Sequence, residues 1–247
     1  MLDRMLTELK RRFEPVLGEF LKSEPMAHLA GGKLTIEEYR SILKQVYYYV
    51  RENPQLQALA TVYFRGRQRD LVKSFYQHAT SEIGHENLAL NDFTTLGGDP
   101  ANVPYKNPLP ATSALTAYAF YQIYNLNPLG YIGYLFFLEF VPTQAGGAIS
   151  EQLKAIGVKD NALTFLRDHI EIDQAHNRLM AQYAEQLLQG PEDLDSVEYA
   201  MKTTCHLYEQ MMASAIKDAH AQIDTGWNWE ELNADKMAPP EQATEVA

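Results

Sequence analysis

The chain has a single cysteine, Cys205, in 247 residues. That excludes an intrachain disulfide and any thiolate cluster for zinc or iron-sulfur chemistry, and it suits a reducing, cytoplasmic setting. Basic residues are scarce as well: 21 Lys and Arg stand against 32 Asp and Glu, a formal charge of −11. Such a surface repels a phosphate backbone and an anionic bilayer, so nucleic acid is not an expected partner. Charges run through the first thirteen residues, where a secretion signal needs an unbroken apolar core. Strand-like alternation is rare. Apolar residues recur instead at intervals of three and four, with Gly and Pro between the periodic segments, which is the pattern of an all-α protein.

Charge itself is missing from one long stretch. Between Lys106 and Glu151, 44 residues carry one charged side chain, Glu139, inside the run Tyr134-Leu-Phe-Phe-Leu-Glu-Phe140. The segment Asn125-Leu-Asn-Pro-Leu-Gly130 divides this stretch into two shorter helices, so no membrane span is expected. A buried, unpaired carboxylate costs several kcal/mol or more, so Glu139 requires a cation, a proton or a metal ion. No Lys or Arg in the stretch can serve. The partner must come from another segment, and two have ligand-type spacing: Glu82-Ile-Gly-His85 and His169-Ile-Glu-Ile-Asp173-Gln-Ala-His176.

Helical periodicity predicts seven helices, over 3–22, 36–51, 68–96, 112–124, 131–156, 161–190 and 194–223. Thr35-Ile-Glu-Glu38 reads as a capping box, Pro54 as a kink or a fresh start, and Gly97-Gly98-Asp99-Pro100 as a stop. A break is expected near Pro142 and Gly146-Gly147. Residues 1–225 read as one domain, and 226–247 as a docking segment followed by a disordered tail.

At about 100° per residue, His169, Asp173 and His176 fall within roughly 60° of one another on their helix, while Glu171 points away. Glu82 and His85, three apart, share a face with His78 one turn earlier. Helix-bundle di-iron proteins use such Glu-x-x-His pairs because both groups converge on one metal, while carboxylates of facing helices bridge two. Glu82, His85, Glu139, His169, Asp173 and His176 would supply three imidazoles and three carboxylates. Each motif has a bland reading: a chance pair, a polar helix face, a protonated core acid. Their joint occurrence on three helices favours a metal site. Of the many aromatics, Tyr121, Tyr124 and Tyr134 are expected to line an apolar pocket above it. His28, His206 and His220 read as surface or supporting groups, Glu52 as a solvated helix-end residue or a seventh ligand, and Cys205 as structural.

The order of Glu82 and His85, then a lone Glu139 in an aromatic helix, then His169-x-x-x-Asp173-x-x-His176, resembles the di-iron oxidase branch of the haem-oxygenase-like superfamily. That superfamily also includes the thiaminase II and pyrroloquinoline-quinone synthase folds. The resemblance spans roughly residues 5–223 and implies a single-domain, seven-helix haem-oxygenase-like bundle. It also implies a homodimer and two Fe ions, or an iron-manganese pair, held by those six residues. The implied activity is oxidation of a small, partly apolar substrate, amino-acid-like or fatty-acid-like, by dioxygen. Some members place the first carboxylate seven residues before the histidine, where this chain has His78. The alternatives are a metal-free thiaminase II-like enzyme, a cofactorless oxidase and a non-catalytic binding protein. Thiaminase II relatives use a mid-chain cysteine, and no cysteine precedes Cys205. Cofactorless relatives use several basic pocket residues, and 107–150 has none. Haem oxygenase needs an early proximal histidine, for which His28 is a poor candidate.

Overall fold

The computed structural model describes residues 4–227, with the backbone alone for 171–177. Ten α-helices occur among the described residues, joined by loops and short 3-10 turns. They are α1 (Arg4–Phe20), α2 (Glu24–Ala30), α3 (Ile36–Val50), α4 (Asn53–Ala60), α5 (Val72–Glu82), α6 (Glu86–Thr95), α7 (Pro110–Asn125), α8 (Tyr131–Ala155), α9 (Thr164–Leu187) and α10 (Pro191–Ala221). The class is the expected all-α bundle. The count exceeds seven because α2 and α4 are too short for periodicity to show, and because 68–96 divides in two.

The local causes are readable. α1 buries Leu9, Phe13, Val16 and Phe20, a stripe at intervals of four, three and four. α3 begins with the expected capping box: Glu38 N donates to Thr35 Oγ1 at 3.2 Å, and Thr35 N donates to Glu38 Oε2 at 2.8 Å. α8 lies at the centre, packed against α9 and α10, while α3 packs on α6 and α10 and α4 packs on α5. Gly133 lets α8 approach α10 closely, since a Cβ there would stand 2.1 Å from the Val197 carbonyl oxygen.

Two expectations about helix breaks are corrected. α8 runs unbroken through Pro142, Gly146 and Gly147. Pro142 removes the donor to the Leu138 carbonyl, and the packing of α8 against α9 and α10 carries the helix through that single loss. Conversely, the single helix expected over 68–96 ends at Glu82 and restarts at Glu86. Ile83 is extended (φ −65°, ψ 120°) and Gly84 is left-handed (φ +99°), which breaks the helix between Glu82 and His85. The 160–162 segment is a 3-10 turn, and α9 starts only at Thr164. At the far end the Lys106 ammonium lies 3.8 Å from the Trp227 ring centroid, and Asn107 N donates to the Gly226 carbonyl. No described helix is long and apolar enough to cross a membrane.

Candidate metal centre

Four of the expected ligands converge. Glu82 ends α5, His85 precedes the first residue of α6, Glu139 lies midway along α8 and His169 lies in α9. Because of the turn at Gly84, Glu82 and His85 meet across a helix break, not along one helix: His85 Nδ1 lies 3.3 Å from Glu82 Oε2. The His85 and His169 rings are 5.2 Å apart, edge to face. Glu82 and Glu139 are only 7% and 6% exposed. Asp173 and His176 fall within α9, but their side chains lie outside the described residues.

A fifth side chain joins them. His78, 1% exposed and one turn before Glu82, places Nε2 3.2 Å from Glu139 Oε1 and 3.8 Å from Glu82 Oε1. Its place on the Glu82 face was visible in the spacing. The buried amide that holds its other nitrogen, Gln57 on α4, gave no sequence signal.

Among the described residues these groups form two overlapping ligand sets, Glu82 with His85 and His169, and Glu82 with His78 and Glu139. Within each set the donor atoms lie within 4.8 Å of one another. The Glu82 carboxylate belongs to both, with Oε2 toward His85 and Oε1 toward His78. Carboxylate and imidazole are the donors that suit iron and manganese, so the residues present fit a pair of such ions. His169 is also prepared for ligation. Burial lowers its pKa, keeping the ring neutral, and its Nδ1 is 2.8 Å from the Phe165 carbonyl. Nδ1 therefore carries the proton and donates it to that carbonyl, and the Nε2 lone pair is left for a metal.

The cluster borders a cavity. Glu82, Glu139, His169, Asn53 and Gln57 form its polar side, and Met26 and Leu29 of α2, Leu43 and Val46 of α3 and Met212 of α10 are among its apolar walls. No Lys or Arg is among its described lining residues. The expectation for the tyrosines is corrected. Tyr121 and Tyr124 on α7 are 54% and 58% exposed, and Tyr134 is buried and donates its hydroxyl to Asn53 Oδ1 at 3.0 Å. The tyrosines that line the cavity are Tyr39, Tyr49, Tyr131 and Tyr208. A chargeless stretch does not distinguish inward from outward aromatics. On α7 the buried face is taken by Leu115, Ala119, Gln122 and Ile123.

The supporting groups fall as expected. His28 and His220 both bind Glu38, at 3.2 and 3.0 Å, His206 bonds Gln210, and Glu52 pairs with Arg51. Cys205 is buried, with its sulfur against Glu209 and the Val16 carbonyl, and burial pushes the thiol pKa well up.

A helical bundle of this layout with a carboxylate and imidazole cluster beside an apolar cavity defines a haem-oxygenase-like fold. A domain of unknown function with a haem oxygenase-like fold from Shewanella denitrificans matches with TM-score 0.74 and 26% identity, over 95% of this chain and 96% of that one. A TenA homologue from Pyrococcus horikoshii (TM-score 0.66, 13% identity, 86% and 98% covered) shares the fold. So does a TenA homologue from Pseudomonas syringae (TM-score 0.69, 13%, 87% and 93%). The model of the family described as iron-containing redox enzymes matches residues 40–209, and the chain belongs to that family. No curated protein matches it by sequence.

Proposed function

We propose that this chain is a non-haem di-iron oxidase that uses dioxygen to oxidise a small, partly apolar substrate held in the cavity. The observation that supports this reading is the convergence of Glu82, Glu139, His85 and His169 from separate segments of the bundle beside a largely apolar cavity. Glu82, His85, Glu139 and His169 would hold the two Fe ions, or an iron-manganese pair, with Asp173 and His176 completing the set. When bound, such a pair supplies redox equivalents and a binding place for dioxygen.

The chain's own residues set the conditions for that chemistry. The Phe165 carbonyl fixes the His169 ring by accepting a hydrogen bond from its Nδ1–H. Leu43, Val46, Leu135 and Met212 present the substrate with a surface that excludes water and favours an alkyl or aryl portion. Asn53, whose Oδ1 accepts from Tyr134, is the neutral hydrogen-bonding group of the lining best suited to a polar substrate atom, since Gln57 is held by Tyr131 and His78. With no cation in the described lining, no ion pair there selects an anionic headgroup.

The test is Glu82→Ala. Wild-type protein should bind iron(II) and consume oxygen in the presence of an amphipathic substrate pool, and the variant should do neither. A variant with wild-type iron content and turnover would remove Glu82 from the site.

A further inference from the structure

Distance alone permits His78 to be read as another metal ligand, since its Nε2 lies near both Glu82 and Glu139. A chain of buried hydrogen bonds behind the ring argues otherwise. Tyr131, 1% exposed, has a phenolic proton that needs an acceptor, and among the described residues that acceptor is Gln57 Oε1 at 3.0 Å. Flipping the Gln57 amide would turn its NH2 toward the phenol and leave the phenolic proton facing a donor. Tyr131 therefore sets the orientation of the Gln57 side chain, itself 1% exposed. Gln57 Nε2 then points at His78 Nδ1, 3.1 Å away, and can only donate to it. An imidazole whose Nδ1 accepts carries its proton on Nε2, and that nitrogen is 3.2 Å from Glu139 Oε1. Tyr183 lies beside the His78 ring, with centroids 6.2 Å apart and planes 23° apart.

We infer that His78 is a positioning residue that donates Nε2–H to Glu139 and orients that carboxylate, and that it is not itself a ligand. The sequence Tyr131 to Gln57 to His78 to Glu139 fixes each donor by the one before it. A ligating histidine of this fold donates outward and offers its inner lone pair, as His169 does through the Phe165 carbonyl. His78 is wired in the opposite sense: it accepts outward and donates inward. In the register where a carboxylate ligand could stand seven residues before His85, this chain thus places a hydrogen-bond donor, and ligation falls to Glu82.

The inference rests on the di-iron reading for its meaning, but its first test does not need iron. Nitrogen-15 shifts of the histidine rings in metal-free wild-type protein report which nitrogen is protonated. The expected result for His78 is protonated Nε2 and bare Nδ1, whereas a protonated Nδ1 would overturn the assignment. Gln57→Glu, whose carboxylate only accepts, should move the proton to Nδ1. Iron counting then separates positioning from ligation. His78→Gln, which keeps an amide donor near the Nε2 position, should retain the wild-type number of irons. His78→Ala should retain that number but bind roughly 10-fold more weakly, the effect typical of losing a partner behind a ligand. Loss of one iron per chain in a folded His78→Gln protein would make His78 a ligand. Failure of wild-type protein to take up iron would count against the proposed function and leave the tautomer result standing.

Discussion

Two sets of buried carboxylates stand in this molecule at similar depth with different company. Asp92 is fully buried and accepts from Thr164 N, Thr164 Oγ1 and Phe165 N at 2.7 to 3.0 Å, tying α6 to the start of α9. Asp218 takes the Lys44 ammonium at 2.9 Å and the Ile223 amide at 2.8 Å, joining α10 to α3 and closing the end of α10. Glu38 takes Thr35 N, His28 and His220. These acids are satisfied by backbone amides, hydroxyls, the Lys44 ammonium and, at Glu38, two imidazoles, and each secures a junction. Glu82 and Glu139 also face imidazoles, His78 of α5, His85 just before α6 and His169 of α9, but they border a cavity. Burial and an imidazole partner therefore do not by themselves set an acid apart. The open space beside Glu82 and Glu139 does.

The sharpest test of that contrast exchanges the two roles. Glu82→Ala should abolish iron binding and oxygen consumption while the fold survives, because it empties one side of a cavity and opens no helix junction. Asp92→Ala should do the reverse, costing about 3 kcal/mol through two orphaned amide donors and a lost hydroxyl bond. Urea denaturation and iron content measured on both variants would check it, and equal stability losses would erase the distinction.

Smaller effects refine it. Gly133→Ala should cost about 2 kcal/mol, because the added methyl meets the backbone of α10 and cannot be absorbed by a rotamer change. As α8 carries Glu139, weaker iron affinity should accompany the fall in melting temperature. Gly84→Ala should cost about 1 kcal/mol for a left-handed residue, and should displace His85 relative to Glu82. Iron affinity, measured by competition with a chelator, should fall more than stability does.

The smallest effect is in the pH dependence of a structural acid. Burial opposes the charge on Glu38, yet bonds from Thr35 N, His220 and His28 outweigh it and hold the carboxyl below its ordinary value of 4.5. A carboxyl lower in the folded than in the unfolded chain adds stability that is full above the unfolded value and is lost as pH falls through the folded one. Acid denaturation of wild-type protein should therefore show a loss of stability below about pH 4.5 that Glu38→Gln lacks. Parallel curves for the two proteins would remove Glu38 from the acid response.

Much of this arrangement was legible in the sequence, for identifiable reasons. Glu139 declares itself by isolation, since one charge in 44 residues must be buried or misplaced. His169 and the Glu82, His85 pair were found by spacing, and the long helices by apolar period and Gly-Pro stops. The break between Glu82 and His85 was hidden because a single glycine within a periodic segment is also tolerated inside helices. Pro142 misled in the other direction, since the sequence does not show how extensively α8 packs against α9 and α10, and that packing carries the helix past a missing donor. Gln57 was invisible: nothing distinguishes a buried amide that orients a histidine from any other glutamine. Tyr121 and Tyr124 were misplaced because periodicity in α7, apolar on most sides, does not say which face is buried, and Tyr134, though buried on α8, turns its hydroxyl to Asn53.

Anaerobic iron(II) titration of metal-free wild-type and Glu82→Ala protein, followed by mixing with oxygenated buffer under visible absorbance, asks whether Glu82 anchors a metal pair. Uptake of about two irons per wild-type chain is expected, as in helix-bundle di-iron carboxylate sites, with a transient band on oxygenation and no tight uptake in the variant. Equal uptake by both proteins, or none by wild type, would remove Glu82, or the metal pair, from the site.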